Sequence, residues 1–475
     1  MIEHASGQIW RRIAVQLLAR VEGEGALDVT IRDGRIQHLR LRIFEPPRLF
    51  EQLLVGHHHS EVPDLVARIC GICPVAYQMS GLSAVERLFD PGRDTGDQTA
   101  WPDPWVQRMR RLFYCGEWIQ SHALHIHLLA APDFLGFDNA RAMAAQYGAE
   151  MRRGLALQAL GNRIIGLFGA RSVHPVGARV GGFWRAPSRR DASVLAAKAE
   201  RAIPAAEQLV RWTTALPLPK HSRGLQPEPF NCVSLRHPVE YPMLANRIVA
   251  ESGLDISVDQ FERYFSETKI PYATGLHGLL QGEPYLVGPL ARLNLNLDRL
   301  HPRVTTLLTK IGSPFPSHDM YHSIIARAVE ILQALSEAAE ILADYEPEEP
   351  AQSEVKPRAG IARGASEAPR GLLWHRYDLD DDGMIQHARI VPPTSQNQRR
   401  IEADLAEALN GVGLDQDEAI LRHTGEMVIR NYDPCISCAT HFLHLNLNRS
   451  PSSISARPGA TTASAGASRT LSRSA

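Results

Sequence analysis

Four of the chain's six cysteines form two Cys-x-x-Cys pairs, Cys70-Gly71-Ile72-Cys73 near the beginning and Cys435-Ile436-Ser437-Cys438 near the end. Thiolates at this spacing bind soft or borderline metals, so zinc, nickel, iron and iron–sulfur centres are the candidates. Zinc cages usually take their ligands from short local knuckles. Pairs this far apart instead favour a centre buried deep in a large fold, provided the fold joins the two chain ends. The other cysteines stand alone: Cys115 reads as a small core residue, and Cys232 is assigned no chemistry.

Further residues could take part. Glu22, in Arg20-Val21-Glu22-Gly23, reads by itself as a solvated turn residue. Ser121, His122 and His125 lie close together on one helix, where each histidine reads first as a buried, hydrogen-bonded structural group. The run His57-His58-His59 cannot present all three rings on one face, so an exposed loop is expected. Asp380-Asp381-Asp382-Gly383 lacks the spacing of a calcium loop and predicts a hairpin turn. Arg179-Val180-Gly181-Gly182-Phe183 does not match a phosphate-binding glycine pattern.

The elements that must position these groups follow from periodicity. Alternating Leu27, Val29 and Ile31 before Asp33-Gly34 predict short strands and a hairpin between Ile13 and Phe44. Helical spacing predicts helices over about 105–130, 141–167, 192–214 and 318–345. Between the last two the chain is proline-rich and is expected to be irregular or strand-like as far as Asn296. After His441 the sequence turns to Ser, Ala, Thr and Arg without an acidic residue, a composition that cannot bury a core and predicts disorder.

At 475 residues, with 44% apolar and 22% charged residues, the composition is that of an ordinary globular protein. A formal charge of -1 gives no electrostatic case for nucleic acid or an anionic membrane. No run of about 18 apolar residues is present to span a bilayer. The first residues lack the basic and apolar regions of a secretory signal, so the cytoplasm is the expected compartment.

Arg68-Ile69-Cys70-Gly71-Ile72-Cys73 and Asp433-Pro434-Cys435-Ile436-Ser437-Cys438-Ala439-Thr440-His441 together resemble the paired signatures of the nickel–iron hydrogenase large subunit. Intermediate motifs match in order, so the resemblance covers Arg20 to His441. It implies an α+β, mostly helical fold with a small N-terminal β-sheet, and reversible oxidation of dihydrogen. It also implies nickel held by four thiolates, Cys70 and Cys435 terminal, Cys73 and Cys438 bridging to an iron that carries carbon monoxide and cyanide.

By the same resemblance Glu22 relays protons from Cys435, and Arg370, in Glu367-Ala368-Pro369-Arg370-Gly371, stands over the open metal site. Thr394 and the backbone at Pro369 and Arg370 would hydrogen-bond the cyanides, with Asp433 behind them. Glu51, His441 and the Ile390 carbonyl resemble the ligands of a structural magnesium. Two positions depart: Tyr77 stands where many members have histidine, and Ser121 where many have aspartate. Both fit the cytoplasmic, cofactor-coupled branch, the NADP-linked kind related to sulfhydrogenases.

The resemblance further implies one catalytic domain over 1–441 and a C-terminal extension, 442–475, removed after His441 by a maturation protease once nickel-insertion proteins have loaded the metal. The chain has no cysteine set for further iron–sulfur clusters and no nucleotide motif. Electrons would therefore leave through a small iron–sulfur subunit, with FAD and NAD(P) on diaphorase subunits. The competing readings are a hydrogen sensor, a non-catalytic respiratory complex I-like relative, and a four-cysteine zinc scaffold.

Overall fold

The computed structural model describes residues 2–5, 8–90, 102–219 and 230–440. Backbone contacts group the chain into two units, Met1–Phe442 and Leu443–Ala475. The first is described below; the expected disorder after His441 falls outside the described residues.

Strands β1 (Ile2–Ala5), β2 (Gln8–Val15), β3 (Gly25–Arg32) and β4 (Arg35–Ile43) pair antiparallel in chain order. Leu27, Val29 and Ile31 all point inward, as their alternation predicts. Asp33 and Gly34 turn the β3–β4 hairpin with φ of 49° and 72°, the two positive angles of a type I′ turn. The loop from β2 to β3 carries Arg20 and Glu22.

Helix α1 (Pro74–Phe89) starts on Pro74, whose fixed φ suits the first helical position, so Cys73 is placed at its N-cap. Helices α2 (Pro104–Leu124), α3 (Gly148–Gly169), α4 (Arg189–Thr214) and, later, α6 (Ser323–Ala343) pack as a bundle, α2 touching α3 and α6, and α4 touching the same two. Between them in sequence lies a short helix, α5 (Pro289–Asn296). Strands β5 (Gly360–Ala368), β6 (Gly371–Leu379) and β7 (Ile385–Val391) form a meander against α1. Ala368 pairs with Gly371, so Pro369 and Arg370 are the tip of a two-residue hairpin. Helices α7 (Pro393–Val412) and α8 (Glu418–Tyr432) pack on each other; α7 also touches β4 and α8 touches β2. This return to the first sheet brings the two cysteine pairs together.

Three expectations need correction. The helix expected over 105–130 leaves α geometry at His125, where a π-helical turn runs to Ala130. The one expected over 141–167 is two, Ala140–Ala144 and α3, because Asn139 caps the first and the chain breaks before Gly148. The triple histidine is only in part an exposed loop: His57 and His58 are half-buried and His59 is not exposed. His59 is 3% exposed, its ring meets the edge of Phe89 at 4.8 Å, and burial lowers its pKa to about 4. Its backbone N–H donates to Gly383 in the β6–β7 turn, which is the hairpin that the Asp380–Gly383 run predicts. Among the described residues, the stretch before Asn296 holds five short strands (Val233–Arg236, Arg247–Ala250, Asp255–Ser257, Phe265–Thr268, His277–Leu280) and α5 as well as irregular chain.

Candidate metal centre

All four sulfurs are buried and lie within 4.8 Å of one another. Cys70 faces Cys435 at 3.5 Å and Cys73 faces Cys438 at 3.9 Å. Cys435 and Cys438 are joined as a disulfide, so ligation by all four requires that bond reduced to thiols. The backbone N–H groups of Ile72 and Cys73 both approach Cys70 Sγ at 3.3 Å. Donation from the Cys73 thiol and the nearby Arg370 cation lower the Cys70 pKa against its burial, while the same hydrogen bond and burial push Cys73 well up. The first pair is therefore set to ionise at Cys70.

The loops are tied by Arg48. Its Nη2 donates to the carbonyl of Ile69 at 2.7 Å and to that of Ser437, one from each loop. Its backbone N–H donates to Thr440 at 2.6 Å. Glu117 on α2 accepts from the N–H groups of Val75 and Ala76, at 2.6 and 2.9 Å, holding the start of α1 behind Cys73. Neither residue stood out in the sequence; the only signal was that Arg48 belongs to the same Glu45-Pro46-Pro47-Arg48 stretch that precedes Glu51.

Glu22 is brought to Cys435. Its Oε2 lies 3.1 Å from Cys435 Sγ and accepts from the Ser437 N–H at 3.0 Å, and its carbonyl accepts from Ile436 at 3.0 Å. Arg370, 3% exposed, donates through Nε to the Asp433 carbonyl at 2.8 Å and through an Nη to its carboxylate at 3.0 Å. Burial alone would raise the Asp433 pKa, but Arg370, His125 and Arg327 outweigh it and hold the carboxylate ionised below its usual value. The hairpin tip is fixed by Arg292 on α5, which donates to the carbonyls of Ala368 and Pro369 at 2.6 and 3.3 Å. Arg292 itself is fully buried between Glu330 and Glu367. His122 closes this network at 2.9 Å from Glu330, and His125 donates to the Arg430 carbonyl at 2.7 Å.

Thr394, at the start of α7, accepts from the Cys435 N–H at 3.0 Å. Glu51 accepts from the Ile390 N–H at 2.7 Å, so these two expected magnesium residues are neighbours; His441 lies outside the described residues. Burial, with the repulsion of Glu267, raises the Glu51 pKa to about 8, and burial raises Glu267 to about 7. Two crowded, half-buried carboxylates suit a hard cation, and no sequence signal pointed to Glu267. Tyr77 is buried beside the cysteines, its hydroxyl without a hydrogen-bond partner among the described residues. Cys115 and Cys232 are buried apart from them.

The residues present fit a nickel–iron group. Four buried sulfurs converge, and Arg370 Nη1, Asp433 Oδ2 and Ser121 Oγ are buried polar atoms without a hydrogen-bond partner among the described residues. Such atoms are costly unless something else satisfies them.

Residues 272–441 match the family profile described as nickel-dependent hydrogenase. The chain is 30% identical to the alpha subunit of sulfhydrogenase 2 of Pyrococcus furiosus, over 91% of this chain and 100% of that one. It is 27% identical to the beta subunit of the NAD-reducing hydrogenase HoxS of Cupriavidus necator, over 91% and 95%. Among solved structures it superposes on an NAD+-reducing [NiFe]-hydrogenase in the H2-reduced state with a TM-score of 0.80 and 28% identity, over 91% of this chain and 99% of that one. With the fold and the four-sulfur site already in place, these likenesses identify the chain as a member of the nickel-dependent hydrogenase large-subunit family, an oxidoreductase acting on H2.

Proposed function

We propose that this chain is the catalytic subunit of a [NiFe] hydrogenase that splits H2 heterolytically and releases the proton through Cys435 and Glu22. The contact between Cys435 Sγ and Glu22 Oε2 at 3.1 Å carries the reading. A nickel–iron group with carbon monoxide and cyanide on the iron, held by Cys70, Cys73, Cys435 and Cys438, would supply the redox chemistry when bound.

This chain's own residues then do three things. Once Cys435 is reduced, its Sγ–H bond breaks toward Glu22, an Oε2–H bond forms, and the proton leaves the buried site on the carboxyl group. Arg370, fixed by Asp433 and by the Arg292-anchored hairpin, keeps a cation at the reacting site without spending reorganisation energy. Thr394 and the Pro369–Arg370 backbone would hold the cyanides, and Thr394 also orients the Cys435 N–H. Glu51, Ile390 and His441 would hold magnesium, with Glu267 close by.

Electrons would pass to a small iron–sulfur subunit and from there to a soluble acceptor, NAD(P), through flavin-bearing diaphorase subunits. A relative named as the beta subunit of an NAD-reducing hydrogenase and a solved NAD+-reducing [NiFe]-hydrogenase support a multi-subunit, nicotinamide-linked enzyme. Among the described residues no helix is long and apolar enough to cross a membrane. We also place the catalytic domain at 1–441 and a maturation cleavage after His441. Replacing Glu22 with Gln tests the proton step: exchange between D2 and solvent protons should fall sharply at unchanged nickel content. Unaltered exchange would remove Glu22 from the path.

A further inference from the structure

Glu22 and Cys435 come from opposite ends of the chain, and proton transfer between them depends on a gap of about one hydrogen bond. Both neighbourhoods are anchored on one carboxylate. Arg20, two residues before Glu22, has a left-handed backbone (φ 61°), uncommon for a side chain of this size. Its guanidinium donates to the Leu129 carbonyl at 2.8 Å and to Asp133 Oδ1. Arg430, five residues before Cys435 on α8, donates to the same Asp133 from Nε at 2.7 Å and from Nη2 at 3.0 Å. It also reaches the Ala19 carbonyl at 3.3 Å.

Asp133 is delivered there by the π-helical turn His125–Ala130. That turn shifts the chain after α2, so Leu129 offers its carbonyl to Arg20 and Asp133 falls between the two guanidinium groups. The side chains of Asp133 and Arg430 are 1% and 2% exposed. Arg430 also pairs with Glu426 at 3.0 Å, but Asp133 is the carboxylate that Arg20 and Arg430 share, and at so dry a position it offsets their repulsion. The Arg430 carbonyl in turn accepts from Asp433 N–H at 3.1 Å, and the cysteine loop starts from that residue.

We propose that Asp133 is a positioning residue for proton transfer: by holding Arg20 and Arg430 on one carboxylate, it fixes the distance between the Glu22 carboxylate and the Cys435 sulfur. This rests on Glu22 as the proton acceptor, as proposed above. Asp133 touches neither reacting atom and acts only through the two arginines. Removing its charge lets Arg20 and Arg430 part, and a displacement of about 1 Å between donor and acceptor slows a positioned step on the order of 10²-fold.

The test uses the nickel-loaded enzyme with Asp133→Asn, and Arg20→Gln as the second variant. Arg20 is 16% exposed in its side chain, so its loss frees the Glu22 end with less strain on the core. D2–solvent exchange per bound nickel, metal content and the infrared stretch of the Glu22 carboxyl are measured together. That stretch is assigned by its disappearance in Glu22→Gln. The expected result is exchange slowed on the order of 10²-fold per nickel, with a shifted carboxyl stretch and unchanged metal content. Should Asp133→Asn fail to accumulate, Arg20→Gln decides alone by the same readings. Exchange unchanged per nickel with the stretch unmoved, or losses that merely follow lost nickel, would overturn the inference. If Glu22→Gln itself leaves exchange intact, the proton-acceptor reading falls first and takes this inference with it.

Discussion

Glu22 and Cys435 are 413 positions apart in the sequence, yet their backbones form a parallel bridge and Oε2 lies 3.1 Å from Sγ. The bridge sets the register in which the two loops face each other, and the ion pairs of Arg20 and Arg430 with Asp133 hold the loops behind it. The carboxylate needs no search to reach the sulfur, which makes this contact the short first step of a proton route.

Arg292 orders the hairpin that carries Arg370, and it does so with a forked, fully buried side chain bonded to Glu330 and Glu367. Lysine keeps the charge but cannot serve two carboxylates and two carbonyls at once. Arg292→Lys should lower stability by about 3 kcal/mol or more and reduce H2 turnover at full nickel occupancy. Denaturant unfolding and turnover per nickel check this; a variant as stable and active as wild type would show that the hairpin needs no such anchor.

Gly161 on α3 meets Gly116 on α2, and a Cβ there would lie 2.6 Å from both Gln120 N and Gly116 O. Helix propensity favours alanine by about 1 kcal/mol. Both contacts are backbone atoms of a packed helix and cannot move aside, so overpacking wins. Gly161→Ala should cost about 1–3 kcal/mol, read as a lower thermal midpoint. A raised midpoint would mean that the crossing is looser than the structure places it.

Tyr77 runs the other way. Its hydroxyl is buried beside the cysteines without a partner among the described residues, and burial pushes its pKa well up, so it is a neutral phenol at all working pH values. Tyr77→Phe should leave turnover intact and raise stability by about 1 kcal/mol. A large loss of turnover would give the hydroxyl a role in the reaction.

Burial lowers the pKa of His127 to about 4; its ring stacks on Trp212 at 5.6 Å. Because the folded value lies below the unfolded 6.5, the unfolded chain binds the extra proton between pH 6.5 and 4, and the folded state loses stability as pH falls through that window. His127→Phe keeps the stack and removes the titration. Its stability relative to wild type should therefore rise by about 3 kcal/mol from pH 7 to pH 4, measured by denaturant unfolding at each pH. A constant difference would mean that His127 is solvated in the folded state.

What could be read from the sequence was what repeats or pairs. The cysteine spacing singled out the four sulfurs that the fold brings together, alternation at Leu27, Val29 and Ile31 gave the first sheet, and 3.6-residue spacing gave the bundle helices. Arg48, Glu117, Asp133, Glu267, Arg292 and Glu330 were not legible. A lone charged residue in a sequence looks solvent-facing; Glu117, Asp133, Arg292 and Glu330 are buried, and Arg48 and Glu267 half-buried, because partners tens to hundreds of residues away arrive to satisfy them. The triple histidine was misread for the same reason: Phe89 and the Gly383 turn cover His59, and neither is near in sequence. The π-helical turn at His125 follows directly on α2 and has no residue signature of its own, so helical spacing did not reveal it.

The measurement that tests the central claim most directly is an infrared spectrum of the purified, mature protein in the region of metal-bound carbon monoxide and cyanide stretches, with nickel, iron and zinc quantified on the same sample. The account predicts these bands, with nickel and iron in equal amounts and their loss in Cys435→Ser. Zinc in place of nickel, with no bands in that region, would contradict it and make the four cysteines a structural clasp.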